Sequence, residues 1–300
     1  MKASKFKTKE GQDWLADWNQ RLMKHNQLDY QAQVIETVYG KTHVWTKSHE
    51  DSSKPALLFL PGFRTCGLFW DLNQTLAPFY KDYRIYLVDV IGQPSLSSGK
   101  TPAVKGDGYG NWLKEVIDGL KLEKVIVAGA SFGGQLMLKL AKAAPERVSC
   151  LIGFNPVGIQ YISLGPRAMW YNALHMLFPS NKNIDLYLEK MVLDPALKLK
   201  EGCREFLSEY QYYVIQNFKF GCDYPYKFSD KELSDVKTPV YLILCEDDHL
   251  VDAKKTVARA KKILPNFKKA FFWSKIGHGI EVAPQAYESF AAILEAQVGK

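Results

Sequence analysis

The chain has 300 residues, 47% of them hydrophobic, which is ample for a large core, and a formal net charge of +7. Its 39 Lys and Arg are spread along the chain with no dense basic block, the pattern of a solvated surface rather than a nucleic-acid-binding face. Five cysteines (Cys66, Cys150, Cys203, Cys222, Cys245) form no Cys-x-x-Cys pair and are odd in number, which argues against a disulfide framework or a zinc site and for a reducing compartment. Residues 1–11 are lysine-rich without the apolar centre of a signal peptide, and no run nears the roughly 18 apolar residues of a membrane span, so a cytoplasmic protein is expected.

In chain order, Trp14, Leu15, Trp18, Leu22 and Met23 recur at helical spacing and predict an amphipathic helix within 10–25. Gln31 to Val38 and Lys41 to Thr46, joined by Tyr39-Gly40, read as a hairpin. Ala56 to Leu60 is a continuous apolar run, the mark of a strand buried on both faces, and it ends at Pro61-Gly62-Phe63. Phe69 to Phe79 reads as helix, Tyr83 to Val90 as strand and Tyr109 to Leu120 as helix. Val125 to Ala128 and Cys150 to Asn155 are buried strands that flank a helix starting near Phe132. Strands alternating with helices imply a mostly parallel sheet of eight strands with helices on both faces.

From 157 to 230 that rhythm stops. The stretch is helical in character and crowded with aromatics, among them Tyr161, Trp170, Phe178, Phe206, Tyr210, Tyr213, Phe220 and Tyr224. Most of them are expected to form the insertion's own small core. An insertion after the sixth strand would cover the carboxyl ends of the sheet, as a lid that lines an apolar pocket and excludes water. The sheet resumes at Pro239 to Cys245 and closes with Lys269 to Trp273, with helices over Ala253 to Leu264 and Pro284 to Val298. The core thus comprises 1–156 and 231–300, and the lid 157–230.

The motif that organises the chain is Gly129-Ala130-Ser131-Phe132-Gly133, between strand and helix. A sharp strand-to-helix turn lifts the serine hydroxyl clear of the sheet and brings backbone so close at the two flanking positions that only glycine fits. Ser131 is the candidate nucleophile. The N–H of Phe132 lies at a helix N-terminus, where it can donate to an oxyanion; a second donor is expected from Phe63, after the Ala56 to Leu60 strand.

A serine hydroxyl needs a base, and the base an orienting acid. The loops after the last two strands supply Glu246-Asp247-Asp248-His249 and Gly277-His278-Gly279. His278, between two glycines after the final strand, is the candidate base. His25, His43 and His49 lie in or beside the N-terminal elements, His249 adjoins the acids, and His175 belongs to the lid. Asp248 is the candidate acid, ahead of Asp247 and Glu246, and Asp252 is expected to cap a helix. The order Ser131, Asp248, His278 agrees with the Ser…Asp…His order known for nucleophile-elbow sites. Phe63, Trp170 and His175 are expected to touch substrate.

These residues, with Val38-Tyr39-Gly40-Lys41-Thr42-His43-Val44, Leu58-Phe59-Leu60-Pro61-Gly62, Tyr86-Leu87-Val88-Asp89-Val90-Ile91-Gly92, Asn111-Trp112-Leu113 and Asp230-Lys231-Glu232-Leu233, give a chain that resembles the α/β-hydrolases, and more narrowly bacterial carboxylesterases of the naproxen-esterase type. The chain departs from that pattern at Pro61, where a histidine is usual, at Cys245, where glycine is usual, and at Ala130, where a bulkier residue is common. The resemblance implies acyl transfer: Ser131 attacks an ester carbonyl, His278 shuttles the proton and Asp248 holds the imidazolium. The expected activity is that of a serine carboxylesterase on a small-to-medium apolar ester; no cofactor or metal is expected, nor a nucleic-acid or membrane partner. Two alternatives use the same scaffold: C–C bond or thioester hydrolysis with the same triad, and a small-molecule receptor or stress regulator with little turnover.

Overall fold

Apolar runs become strands here because each face of the sheet has its own cover. In the computed structural model, which describes residues 5–48, 50–163, 165–221 and 224–298, the elements in order are β1 (Lys5–Phe6), α1 (Lys9–His25), β2 (Gln31–Thr37), β3 (Gly40–Lys47), β4 (Ala56–Leu60), β5 (Arg84–Val88), β6 (Ser98–Gly99), α2 (Gly108–Gly119), β7 (Val125–Ala130), α3 (Phe132–Ala143) and β8 (Val148–Phe154). There follow α4 (Pro166–Leu177), α5 (Asn181–Tyr187), α6 (Cys203–Asn217), β9 (Phe218–Lys219), α7 (Asp230–Ser234), β10 (Val240–Cys245), α8 (Ala253–Ile263), β11 (Phe267–Trp273) and α9 (Ala286–Val298). His49 and Cys222, both named above, lie outside the described residues.

The main sheet runs β11-β10-β8-β7-β4-β5-β3-β2, parallel from β11 to β5 and antiparallel at β3 and β2. Eight strands were expected; the two-residue β6 adds a ninth by pairing with Gly40 and Lys41 of β3. Alternation splits each central strand between two cores. In β4, Leu57 and Phe59 face α1, α9 and the 157–230 helices, whereas Ala56, Leu58 and Leu60 face α2, α3 and α8.

The helix expected over Phe69 to Phe79 is instead two 3₁₀ turns, Gly67–Asp71 and Ala77–Phe79. The Asp71 carboxylate accepts from the Leu76 N–H at 3.0 Å and the Thr75 hydroxyl donates to the Trp70 carbonyl at 2.9 Å. These local bonds compete with a helical ladder, and Pro78 lacks an N–H to continue one.

Between β8 and β10 lie α4, α5 and α6, joined through a π-turn at Leu188–Val192 whose closing bond runs from Leu193 N–H to Leu188 O at 2.7 Å. The N-terminus braces this stretch. Trp14 stacks on Tyr213 at 3.7 Å, Arg21 forks onto Glu209 at 3.1 and 2.8 Å, and β1 pairs with β9. The aromatics divide: Tyr210 and Phe218 are buried and Phe206 packs on the core, whereas Tyr161, Trp170, Phe178 and Tyr224 are exposed.

Candidate active site

The turn between β7 and α3 holds Ser131 at φ 47° and ψ −111°, a left-handed conformation that a non-glycine residue adopts only under constraint. The constraint is visible: Ser131 N–H donates to Phe154 O, and Ser131 O accepts from both Gly134 and Val157 N–H, each at 3.0 Å. A Cβ on Gly129 would lie 2.4 Å from the Gly133 carbonyl oxygen, and one on Gly133 only 1.9 Å from the Leu60 carbonyl oxygen. Both flanking glycines are therefore fixed by backbone approach.

The parallel strands end side by side, so the loops after β7, β10 and β11 meet. His278 Nε2 lies 2.8 Å from Ser131 Oγ, and His278 Nδ1 lies 2.7 Å from Asp248 Oδ2. The Asp248 side chain is fully buried; its second oxygen accepts from Leu250 and Val251 N–H at 2.7 and 3.0 Å. The carboxylate thus faces the imidazole with its lone pairs satisfied. Burial opposes charge on His278, yet Asp248, with Glu281 adding, raises its pKa above the ordinary histidine value. The other sequence candidates stand apart. Asp247 accepts from Lys275 N–H at 2.7 Å, and Glu246, Asp247 and His249 are exposed. His25 contacts the Glu201 carbonyl at 2.9 Å, and His43 lies 3.3 Å from the buried Asp89. Asp252 caps α8 through Lys255 N–H at 2.9 Å.

Asn155, at the end of β8, was not anticipated as a site residue. Fully buried, it donates from Nδ2 to the Gly277 and His278 carbonyls, both at 3.1 Å, and accepts at Oδ1 from Cys245 N–H at 2.8 Å. One side chain thereby ties β8 to the roots of both the acid loop and the histidine loop. The signal available beforehand was an amide directly after a buried strand at the level of the serine. Cys245, where glycine is usual, has a use as well: its Sγ accepts from Gly277 N–H at 3.2 Å.

Around Ser131 is a cleft of about 80 Å³, lined by Phe63, His175, Tyr187, Val192, Leu207, Gln211 and Glu281 among others. Phe63 stands edge-on to Phe132 at 5.7 Å. Neither the Phe63 nor the Phe132 N–H donates to a protein acceptor among the described residues. His175 is stacked on Tyr187 at 3.8 Å, with its Nδ1 on the Tyr171 carbonyl at 2.7 Å; burial pushes its pKa down to about 4, so it is neutral. Trp170 corrects the expectation of substrate contact. It is 64% exposed and does not line the cleft, because α4 turns His175 inward and Trp170 lies on the other face. The π-turn reaches the histidine loop through Gly279 N–H to Val192 O and Asp194 N–H to Ile276 O, both 2.8 Å.

Among the described residues, no three His, Cys, Asp or Glu side chains gather to hold a metal ion, and no helix is long and apolar enough to cross a membrane.

Residues 55–278 match the model of the alpha/beta hydrolase fold family. The chain is similar to two Bacillus subtilis (strain 168) proteins. "Carboxylesterase YbfK" is 25% identical over 267 residues, covering 87% of this chain and 86% of its own. "Uncharacterized carboxylesterase nap" is 27% identical over 255 residues, covering 84% and 82%. Among solved structures, naproxen esterase from Bacillus subtilis superposes with a TM-score of 0.78 at 23% identity, covering 96% of this chain and 98% of that one.

Proposed function

From the premise that the chain belongs to the alpha/beta hydrolase fold family, we propose that it is a serine carboxylesterase that cleaves a small-to-medium carboxylic ester through an acyl-enzyme on Ser131. The observation that carries this reading is the unbroken line from Ser131 Oγ through both nitrogens of His278 to Asp248, at 2.8 and 2.7 Å.

Ser131 donates its proton to His278 Nε2 as Oγ attacks the ester carbonyl. The oxyanion takes the Phe63 and Phe132 N–H groups, each worth on the order of a hundred- to a thousandfold in rate. His278 then protonates the leaving alkoxide, and Asp248 holds the imidazolium through Nδ1–H. Water, deprotonated by the same imidazole, attacks the acyl-enzyme and releases the carboxylic acid with Ser131 reprotonated. Residues 157–230 act as the lid, with His175 as a neutral wall and Phe63 as both wall and donor. The cleft of about 80 Å³ is well below the roughly 300 Å³ of a typical ligand site, so larger esters require the lid to open. The names of the two Bacillus relatives support the ester as substrate class.

The test is labelling with a fluorophosphonate followed by peptide mapping, beside hydrolysis of p-nitrophenyl acetate and butyrate by wild type and Ser131→Ala. A single adduct on Ser131 and a loss of at least about a thousandfold in kcat are expected. An adduct elsewhere, or turnover unchanged in the variant, refutes the nucleophile. Tight binding of a small molecule with no turnover of any acyl ester establishes the receptor reading instead.

A further inference from the structure

Arg64 follows the oxyanion-loop residue Phe63 and lines the same cleft as Ser131. Among the described residues it has no ion-pair partner. The guanidinium lies 5.3 Å from the Phe63 ring centre and 5.0 Å from that of Phe220. Nη1 donates to the Met176 Sδ at 3.1 Å, a weak acceptor. Nε is buried with no hydrogen-bond partner, and among the described residues no carboxylate pairs with any of the three nitrogens. The nearby ionisable groups are Tyr187, Tyr224 and the neutral His175, and burial pulls the guanidinium below its usual pKa. Glu281 lines the same cleft but forms no ion pair with Arg64.

Arg64 is of intermediate exposure, but its Nε is buried without a partner, a desolvation cost that the two aromatic faces offset only in part. Backbone adds to the anomaly, since Arg64 sits at φ 63° with its N–H fixed on Gln93 Oε1 at 2.8 Å. Strain and an orphaned charge at one residue, beside a nucleophile, are features that a ligand resolves. The donors left over are Nε and Nη2, which form one edge of the guanidinium and match the two oxygens of a carboxylate.

We propose that Arg64 selects substrates carrying a carboxylate, so that the preferred esters are half-esters of short dicarboxylic acids. The inference rests on the esterase reading of the same site and narrows it from carboxylic esters in general to those that carry a free carboxylate. The free acid end docks on the Nε/Nη2 edge while the ester carbonyl lies at Ser131. The small volume of the cleft favours chains of succinate or glutarate length.

The test uses near-isosteric pairs: monoethyl succinate against ethyl 4-oxopentanoate, and monoethyl glutarate against ethyl 5-oxohexanoate. In each pair a carboxylate oxygen is replaced by a methyl group. Wild type is expected to favour the half-ester by about tenfold or more in kcat/KM, and Arg64→Met to lower that preference by about 30-fold or more, with Arg64→Lys in between. Because the readout is a ratio within one protein, general damage to folding or chemistry cancels. A wild-type preference for the keto esters, or a ratio that survives in Arg64→Met, overturns the proposal. A binding arm separates it from the esterase reading. Calorimetry with the same ligands on Ser131→Ala and on Ser131→Ala/Arg64→Met is expected to show the half-ester preference only in the former. If neither ester is cleaved and Ser131 takes no phosphonate, the esterase reading fails while this arm still decides Arg64. Equal binding in both proteins, or none in either, overturns the role of Arg64.

Discussion

The sheet and the helical stretch between β8 and β10 are built on different physics, and the contrast explains which parts of the site are rigid. In β4, β7 and β10 every residue is buried, and Phe63, Ser131 and Asp248 lie on loops at their ends, while His278 follows the partly exposed edge strand β11. Backbone contacts fix those loops: Gly133 against Leu60, Ser131 against Phe154, Asn155 against Gly277 and His278. The 157–230 stretch has a mixed surface, with Trp170, Phe178 and Leu177 exposed, and it relies on α1 for a brace through Trp14 and Arg21. Chemistry therefore rests on elements of high local stability, and the pocket wall on elements that open more cheaply.

That contrast breaks if perturbing the sheet side is mild or perturbing the helical side is fatal. Asp248→Asn should lower kcat by about 10⁴-fold, because the amide stabilises the wrong tautomer, whereas Asp247→Asn should leave it within about twofold. Comparable losses in the two variants refute the choice of acid. Gly133→Ala should cost about 4 kcal/mol or more, or leave no folded protein, since its Cβ meets backbone rather than a movable side chain. Urea denaturation measures this; a loss under about 1 kcal/mol refutes the close approach.

Asn155→Ala leaves two carbonyls and one N–H without their partner. About 2–4 kcal/mol of stability should go, with kcat falling about tenfold or more and KM nearly unchanged, because the histidine loop loses its anchor. A KM effect alone would place Asn155 outside the positioning of His278. On the other side, Trp14→Ala should cost about 1–2 kcal/mol and accelerate hydrogen exchange in α6 while β7 stays protected. Uniform acceleration would mean the two regions open as one.

The smallest effect is in pH. A raised histidine pKa keeps the imidazole protonated, and unable to accept the serine proton, up to a higher pH. The acid limb of kcat/KM should therefore lie above the ordinary histidine value of about 6.5. Glu281→Gln removes one of the charges that raise it, so the limb should move to lower pH; an unmoved limb excludes Glu281 from the electrostatics of the base.

Local pattern made the sheet and the elbow legible, since apolar runs and paired glycines each have one economical conformation. Ser131, Asp248 and His278 were readable because topology places the ends of β7, β10 and β11 together, so position on the loop after the last strand selects among six histidines. What stayed hidden depends on long-range partners. Asn155 looks like any polar residue after a strand until its three bonds are seen. Trp170 and His175 lie five residues apart on one helix, and nothing in composition says which faces in. The 3₁₀ turns at Gly67–Asp71 and Ala77–Phe79 escaped for the opposite reason: apolar spacing outvoted the local preference of Asp71, Thr75 and Pro78.

The two backbone bonds between the π-turn and the histidine loop have a mechanical consequence. Val192 and Asp194 are fastened to Gly279 and Ile276, on either side of His278. A rigid swing of the whole insertion would pull the imidazole off Ser131 along with it. With residues 157–230 as the proposed lid, an opening that leaves His278 on Ser131 pivots upstream of this tie, in α4 and α5. One wall of the cleft and the loop of His278 share an anchor.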